Sequence, residues 1–345
     1  MLTIRRAHLS EADEAARIEA FVQRAGGSVF HLPQWLRAVE QGTGQQAMGL
    51  LAEGEAGIAG WLPLTLCHSE LFGRALVSSG FAVDGGVLAA DPIVARRLCI
   101  AAEELAQRQC CAGVELRGGP APDHWQSITG KHAGFVRVLE NDDEAQLTAI
   151  PRKQRAEVRK GLKQDGLAVT TGAGATDRAA HYAVYAESVR NLGTPVFPRA
   201  LFDAVLDLTD ADILTVWHHD QPVASVLSLY HAGVVLPFWG GGVFAARRLR
   251  ANDRMYYELM LHARRRGCDR FDFGRSKTES GAFAFKKNWG FEPEPLEYAS
   301  WTAPGATARD VDPTSERHAS RIEVWKRLPL PIANRIGPLI ARGLA

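Results

Sequence analysis

Apolar and polar positions recur with two periods along this chain, and the switches between them mark the elements. Residues 2–6 alternate in strand fashion, and Ser10-Glu11-Ala12-Asp13 reads as an N-cap with first-turn acids opening a helix. The apolar runs 47–52 and 57–66 flank Glu53-Gly54-Glu55-Ala56-Gly57, which predicts a hairpin. After a Gly/Ser-rich break at 78–86, Asp91-Pro92 starts a helix over 91–112, with Ile93, Leu98, Ala101 and Leu105 on one face. Val114–Arg117 is a short strand. The second half repeats this order: helices over 178–190 and 200–208, strands 213–217 and 223–230 joined by a turn at His218–Pro222, and a strand 234–239 ended by Gly240-Gly241-Gly242. A helix over 251–266 and a strand 271–273 complete it. Each half runs helix, antiparallel strands, Gly-rich break, helix, strand. This predicts an α+β fold built by tandem duplication of one unit with a mixed central sheet.

The expected divisions are 1–145, 146–302 and a tail, 303–345. The tail begins with a Pro/Gly/Asp-rich loop, Ala303–Ser315. Beyond it Ile322, Trp325, Leu328, Ile332, Ile336, Leu339 and Ile340 recur at roughly helical spacing among Arg321, Lys326, Arg327, Arg335 and Arg342, broken by Pro329, Pro331 and Pro338. Such a basic stripe fits a membrane-surface anchor or a segment docked on its own domain, and packing is the commoner cause.

A length of 345 residues fits two domains better than one core. The net charge of +1 conceals 40 basic and 39 acidic residues, so nothing supports bulk nucleic-acid binding, and DNA is not an expected partner. Five cysteines without CxxC spacing argue for reduced thiols rather than a disulfide framework or zinc site, and the histidines show no metal spacing. No metal is expected. With no apolar h-region at the start and no run of 18 uncharged apolar residues, the expected location is cytoplasmic, or peripheral to the inner membrane through the tail. GxSxG, HExxH, Walker A and GxGxxG motifs are all missing, which removes hydrolase and P-loop readings.

Three stretches carry candidate chemistry. Residues 151–163 hold six bases and one acid, and on a helix Arg152, Arg155 and Arg159 share a face suited to phosphate oxygens. The stretch Trp239–Asn252 places a loop before a helix, where free N–H groups favour an anion; Trp239, Arg248 and Asn252 are its candidate binding residues. In 268–291, Asp272 ends a strand, Arg275 and Lys277 lie on a Gly-containing loop, and Lys286-Lys287 follow Phe283 and Phe285. A lysine among aromatics suits a developing oxyanion, against the plainer reading of a strand-end Asp capping its own loop with lysines in solvent.

The set Phe30-His31-Leu32-Pro33-Gln34-Trp35, Trp61–Leu64, Leu71–Arg74, Asp84-Gly85-Gly86, Pro151–Arg155, Arg248–Asn252, Phe271–Lys277 and Phe285–Phe291 resembles the FemAB-like proteins of PEP-CTERM/exosortase and exopolysaccharide loci, a branch of the GNAT (acyl-CoA N-acyltransferase) superfamily. The resemblance implies two GNAT-like domains and transfer of an acyl or aminoacyl group, from acyl-CoA or aminoacyl-tRNA, to an amine of an envelope or exopolysaccharide precursor. It implies no bound cofactor. Phe285 and Lys286 match the Phe-Lys pair at the family's transfer site, which gives Lys286 the oxyanion and leaves Asp272 to orient groups or accept a proton. Arg155, Arg159 and Arg248 would hold phosphates. Two features depart from the family: Asn288-Trp289 replaces the Gly-Phe of bridge-forming enzymes, and Arg247-Arg248-Leu249-Arg250 lacks the glycines that usually wrap the CoA pyrophosphate. The rival from another class is a non-catalytic module of the same fold that recognises a nucleotide-sugar or polymer.

Overall fold

A computed structural model describes residues 2–307, 309 and 319–344. Most of the expected loop Ala303–Ser315, and the side chain of Arg321, lie outside the described residues.

The first unit runs β1 (Thr3–Arg6), α1 (Ala12–Arg24), α2 (Pro33–Thr43), β2 (Gln46–Gly54), β3 (Gly57–Ser69), β4 (Gly73–Ser78), β5 (Leu88–Ala89), α3 (Pro92–Arg108) and β6 (Gly113–Arg117). A connector follows with β7 (Gln126–Ile128), β8 (His132–Gly134), β9 (Val136–Val138), α4 (Asp143–Ala149) and α5 (Arg152–Leu162). The second unit repeats the first: β10 (Leu167–Gly172), α6 (Ala175–Leu192), α7 (Arg199–Leu208), β11 (Ala211–His218), β12 (Gln221–His231), β13 (Val234–Gly242), α8 (Phe244–Leu249), α9 (Ala251–Arg265) and β14 (Arg270–Asp272). The chain continues through β15 (Ser276–Lys277), α10 (Gly281–Asn288), β16 (Glu294–Pro295) and β17 (Tyr298–Thr302) to α11 (Ala319–Arg327) and α12 (Leu330–Ala341).

The expected duplication is therefore present, with antiparallel β1-β2-β3-β4 and β10-β11-β12-β13 each followed by a parallel strand, β6 or β14. The sheets then exchange strands. β9, from the connector, closes the second sheet against β14, while β17, from the end of the second unit, joins the first sheet beside β6. No single cut near residue 145 divides the two sheets. Pairing covers edges that would otherwise be exposed.

Several local readings shift. α1 starts two residues after Ser10; no side chain caps it, and the first-turn acid Glu14 instead accepts from the His8 N–H and from Arg5. Asp91 does cap α3 through the Ile93 N–H at 2.7 Å, but the buried face holds Val94, Leu98, Ala102 and Leu105, and Ile93 is exposed. Gly240–Gly242 do not end the strand. They pair with Val226, Ser225 and Ala224 of β12.

The equivalent helices α2 and α7 meet between the units. Gly42 permits this, because a Cβ there would lie 2.3 Å from the Leu201 Cα. Around that contact Phe30, Trp35, Phe202 and Trp239 form an aromatic cluster, with the Trp35 and Trp239 rings stacked at 6.1 Å. The tail docks by one face: Gly337 packs on Val196, and the Arg342 carbonyl accepts from Gln45 at 2.7 Å.

Candidate active site

β13 and β14 are parallel partners at two positions, Val234 with Arg270 and Val235 with Phe271. Beyond Val235, β13 continues paired to β12 while its other edge leaves β14. That edge presents backbone groups to whatever enters the gap. Three glycines at the end of β13 leave room for polar side chains. The Cβ positions of Gly240, Gly241 and Gly242 would lie 3.2 Å from Tyr256 Oη, 2.5 Å from Ser188 Oγ and 2.5 Å from Asn252 Oδ1.

Alternation along β14 turns Phe271 into the core beside α9 and leaves Arg270 and Asp272 on the opposite face. Gly274, at φ +69°, then reverses the chain in the left-handed region where glycine carries no Cβ penalty. Its N–H donates to Asp272 Oδ1 at 2.8 Å, and its carbonyl accepts from Lys286 Nζ at 3.0 Å. Lys286 Nζ also donates to the Arg275 carbonyl at 3.0 Å. One residue thus ties the acid and the base together.

Lys286 is the one buried residue of α10, a helix capped by Ser280 through the Phe283 N–H. Its ammonium lies 5.3 Å from the Phe135 ring and 5.7 Å from that of Phe273, an arrangement that favours a cation. Burial nevertheless lowers its pKa to about 8, with Arg275 adding to the depression and the Asp272 carboxylate opposing it. Burial pushes Asp272 up to about 6, against the Gly274 N–H and the Lys286 charge, with Asp84 and Glu294 raising it further. A protonated lysine has three donors; two are used on carbonyls, so the third can serve an incoming oxygen.

Clefts open on both sides of this centre. One, of about 480 Å³ between the units, is lined by Asp272, Asp84, His31, His231 and Arg270. Burial holds both histidines below the usual imidazole value, so the cleft carries two acids and one base near neutrality. The other, of about 410 Å³, lies over β6 and β17 and is lined by Arg117, Arg275 and Tyr298 among others.

The expected site residues divide. Asp272, Lys286 and Arg275 come together. Phe285 packs beside them, its ring 5.6 Å from Tyr256 and 6.1 Å from Phe273 and Trp289, as part of the apolar wall. Lys277 is exposed on β15. Asn252 faces the end of β13, and its Oδ1 is buried without a hydrogen-bond partner. Trp239 is 4% exposed inside the inter-unit cluster, because a bulge at Phe238 offsets the strand alternation and places it on the same side as Leu236. The stretch after β13 is not an open phosphate loop. It forms α8, on which Arg248 is exposed, and the Arg250 side chain is taken by Glu157 at 2.7 Å. On α5, Arg152 and Arg159 are exposed, and Arg155 donates to the Thr148 carbonyl at 3.0 Å. None of Arg152, Arg155, Arg159 and Arg248 lines either cleft. Asp84, His31, Arg117 and Tyr298 were not legible as site residues, since no spacing relates residue 84 to residue 272.

Residues 151–287 match the family model described as acetyltransferase (GNAT) domain. Solved structures share the tandem fold. FemX matches at 14% identity and a TM-score of 0.65, over 85% of this chain and 96% of its own. A tandem GNAT protein from the clavulanic acid biosynthesis pathway matches at 12% identity and a TM-score of 0.59, over 89% and 100%. L-PGS from Bacillus licheniformis matches at 13% and 0.53, over 90% and 96%. No curated protein sequence matches the chain. The fold is a tandem duplication of GNAT-like units.

Proposed function

We propose that this protein is an N-acyltransferase whose transfer centre is Lys286 and Asp272. The observation that carries the reading is the Gly274 link, which holds a buried ammonium and a carboxylate of raised pKa at the mouth of the β13–β14 gap. The donor carbonyl lies along the open edge of β13, and the acceptor amine enters from the acidic cleft, where Asp84 and Asp272 attract an ammonium. Asp272 accepts the proton that activates the amine. The new C–N bond forms as the carbonyl oxygen becomes an oxyanion bonded to Lys286. Collapse breaks the thioester C–S or ester C–O bond, and the leaving group takes up a proton.

An amino sugar of an envelope or exopolysaccharide precursor is the acceptor that the sequence resemblance favours. Acyl-CoA is the first donor to test. The exposed basic residues of α5, Arg152, Lys153, Arg159 and Lys160, favour aminoacyl-tRNA as the second, and its binding would weaken steeply with salt. On α12, Ile332, Ile336 and Leu339 are exposed beside Arg335 and Arg342, which supports contact with an anionic membrane surface.

The test is transfer of labelled acyl groups from acyl-CoA and aminoacyl-tRNA to a panel of amino sugars. Lys286→Met is expected to lower kcat by about 10²–10³-fold, the usual loss of one oxyanion donor, with the fold intact by circular dichroism. Turnover that survives Lys286→Met would remove the reading. Ligand binding without any turnover would favour the non-catalytic module.

A further inference from the structure

We propose that the outer face of α3, with the groove between it and β1, is a docking site for a partner protein, which presents an amphipathic helix whose apolar stripe is flanked by acidic side chains. The groove has a volume of about 680 Å³ and lies in the first unit, on residues the transfer centre does not use. Ile4, Leu50, Ile100 and Leu105 form its apolar lining, and Arg6 and Arg97 stand exposed beside them. β1 is the edge strand of the first sheet, so no further strand closes this side.

The internal duplication shows what such a face takes. Arg97 donates from α3 to the Leu2 carbonyl just ahead of β1 at 3.1 Å, and Arg254 donates from α9 to the Leu167 carbonyl at the start of β10 at 3.1 Å. Aligned on these two arginines, Ile93 falls on Arg250, Arg96 on Asp253 and Ile100 on Tyr257. In the second unit the connector helices cover those three positions. A Cβ on Gly161 of α5 would lie 2.8 Å from the Arg250 carbonyl oxygen, and Gln154 Nε2 of α5 donates to Asp253 Oδ1 at 2.6 Å. Tyr257 Oη donates to the carbonyl of Asp143, the first residue of α4, at 3.0 Å, and Tyr257 is buried. In the first unit no described helix takes that place, and Ile93 and Ile100 are 69% and 39% exposed. One copy of the unit buries this face under helices, and the other leaves it bare. An apolar groove on a helix face is the kind of surface that another helix fills.

Charge decides the partner. Arg5 is matched by Glu14 and Glu53, each at 2.6 Å, with Arg17 sharing Glu53, and Arg108 is matched by Glu104 at 3.1 Å. Arg97 meets a neutral carbonyl, and Arg6 meets no carboxylate among the described residues. These two uncompensated charges favour acidic flanks on the incoming helix. The corresponding helix of a second copy, α5, carries exposed Arg152, Lys153, Arg159 and Lys160 and would be repelled.

The experiment is fluorescence anisotropy of the full chain with two labelled synthetic helical peptides. Both carry leucine at i, i+3, i+4 and i+7, flanked in one by glutamate and in the other by lysine. The glutamate peptide is expected to bind and to gain helical circular dichroism, and the lysine peptide to bind at least about tenfold more weakly. Arg6→Glu with Arg97→Glu should weaken the glutamate peptide by about tenfold, and Ile100→Asp should abolish its binding. Arg265→Glu, an equal charge reversal at an exposed position of α9, should leave it unchanged. All the substituted positions are exposed, so each variant should keep the wild-type Tm. No binding of the glutamate peptide, equal binding of the two peptides, or a bound peptide that gains strand signal would overturn the proposal. So would binding lost in Arg265→Glu and kept in Arg6→Glu with Arg97→Glu. A wild-type dimer in sedimentation that Ile100→Asp dissociates would overturn it in favour of a second copy. These readouts need no acyl transfer, so their failure is distinguishable from failure of the Lys286 kinetics.

Discussion

Lys286 should titrate well below the ordinary lysine value. Its pKa falls from the ordinary 10.5 to about 8, which corresponds to about 3 kcal/mol of preference for the neutral amine over that of a solvated lysine. Burial supplies the shift and Asp272 limits it, so Asp272→Asn should push Lys286 lower still. The chain has eight lysines, few enough to follow individually by carbon NMR of labelled side chains between about pH 6 and about pH 10. One resonance should move near pH 8, vanish in Lys286→Arg and shift to lower pH in Asp272→Asn. The same group sets a stability slope. Because its folded value is depressed, its contribution is fully present above about 10.5 and is lost as pH falls through about 8. Relative to Lys286→Met, the wild type should therefore gain up to about 3 kcal/mol of unfolding free energy across that window. If Lys286 titrates near the ordinary 10.5, or if Asp272→Asn leaves its resonance in place, the electrostatic argument for the site fails.

The pH dependence of turnover should be bell-shaped. Asp272 must be ionised to accept a proton, so kcat/KM rises as pH passes about 6, and it falls above about 8 as Lys286 loses its charge. Asp272→Asn should remove the acid limb, and an unchanged acid limb would reassign the base. Residues 146–302 expressed alone should not yield a folded domain, because the fragment lacks β9 and leaves β17 without its partner β6; a cooperative melt of that fragment would contradict the importance of the exchange. The full chain should sediment with anionic vesicles and less with neutral ones. Ile336→Glu with Leu339→Glu, both at exposed positions, should abolish this without lowering Tm, and equal sedimentation with both vesicle types would refute the charge argument.

How far the sequence could be read depended on the range of the interactions that decide each element. The hairpin turns at 53–57 and 218–222 were legible because glycine and turn chemistry act within a few residues. The face of α3 was misjudged, since which side meets the sheet is decided by packing and not by the cap. Gly240–Gly242 looked like a break because glycine weakens strands. It stays in β13 because β12 pairs with it and Tyr256, Ser188 and Asn252 occupy the space its side chains would need. Trp239 and Arg248 have suitable chemistry, but one is turned into the inter-unit core and the other into solvent.

The sequence by itself determined the α+β class and the duplication, and it offered Lys286 and Asp272 as candidates whose roles came from the family resemblance. These rest on periodicity, turn residues and a local motif, all carried by neighbouring positions. Only the tertiary structure decided the rest. It paired β9 and β17 across the halves, set Asp84 against Asp272, and turned Arg117, Arg275 and Tyr298 into one cavity. Strand partners and pKa values depend on groups far apart in the chain, so their identity is a property of the packed fold and leaves no periodic trace in the sequence.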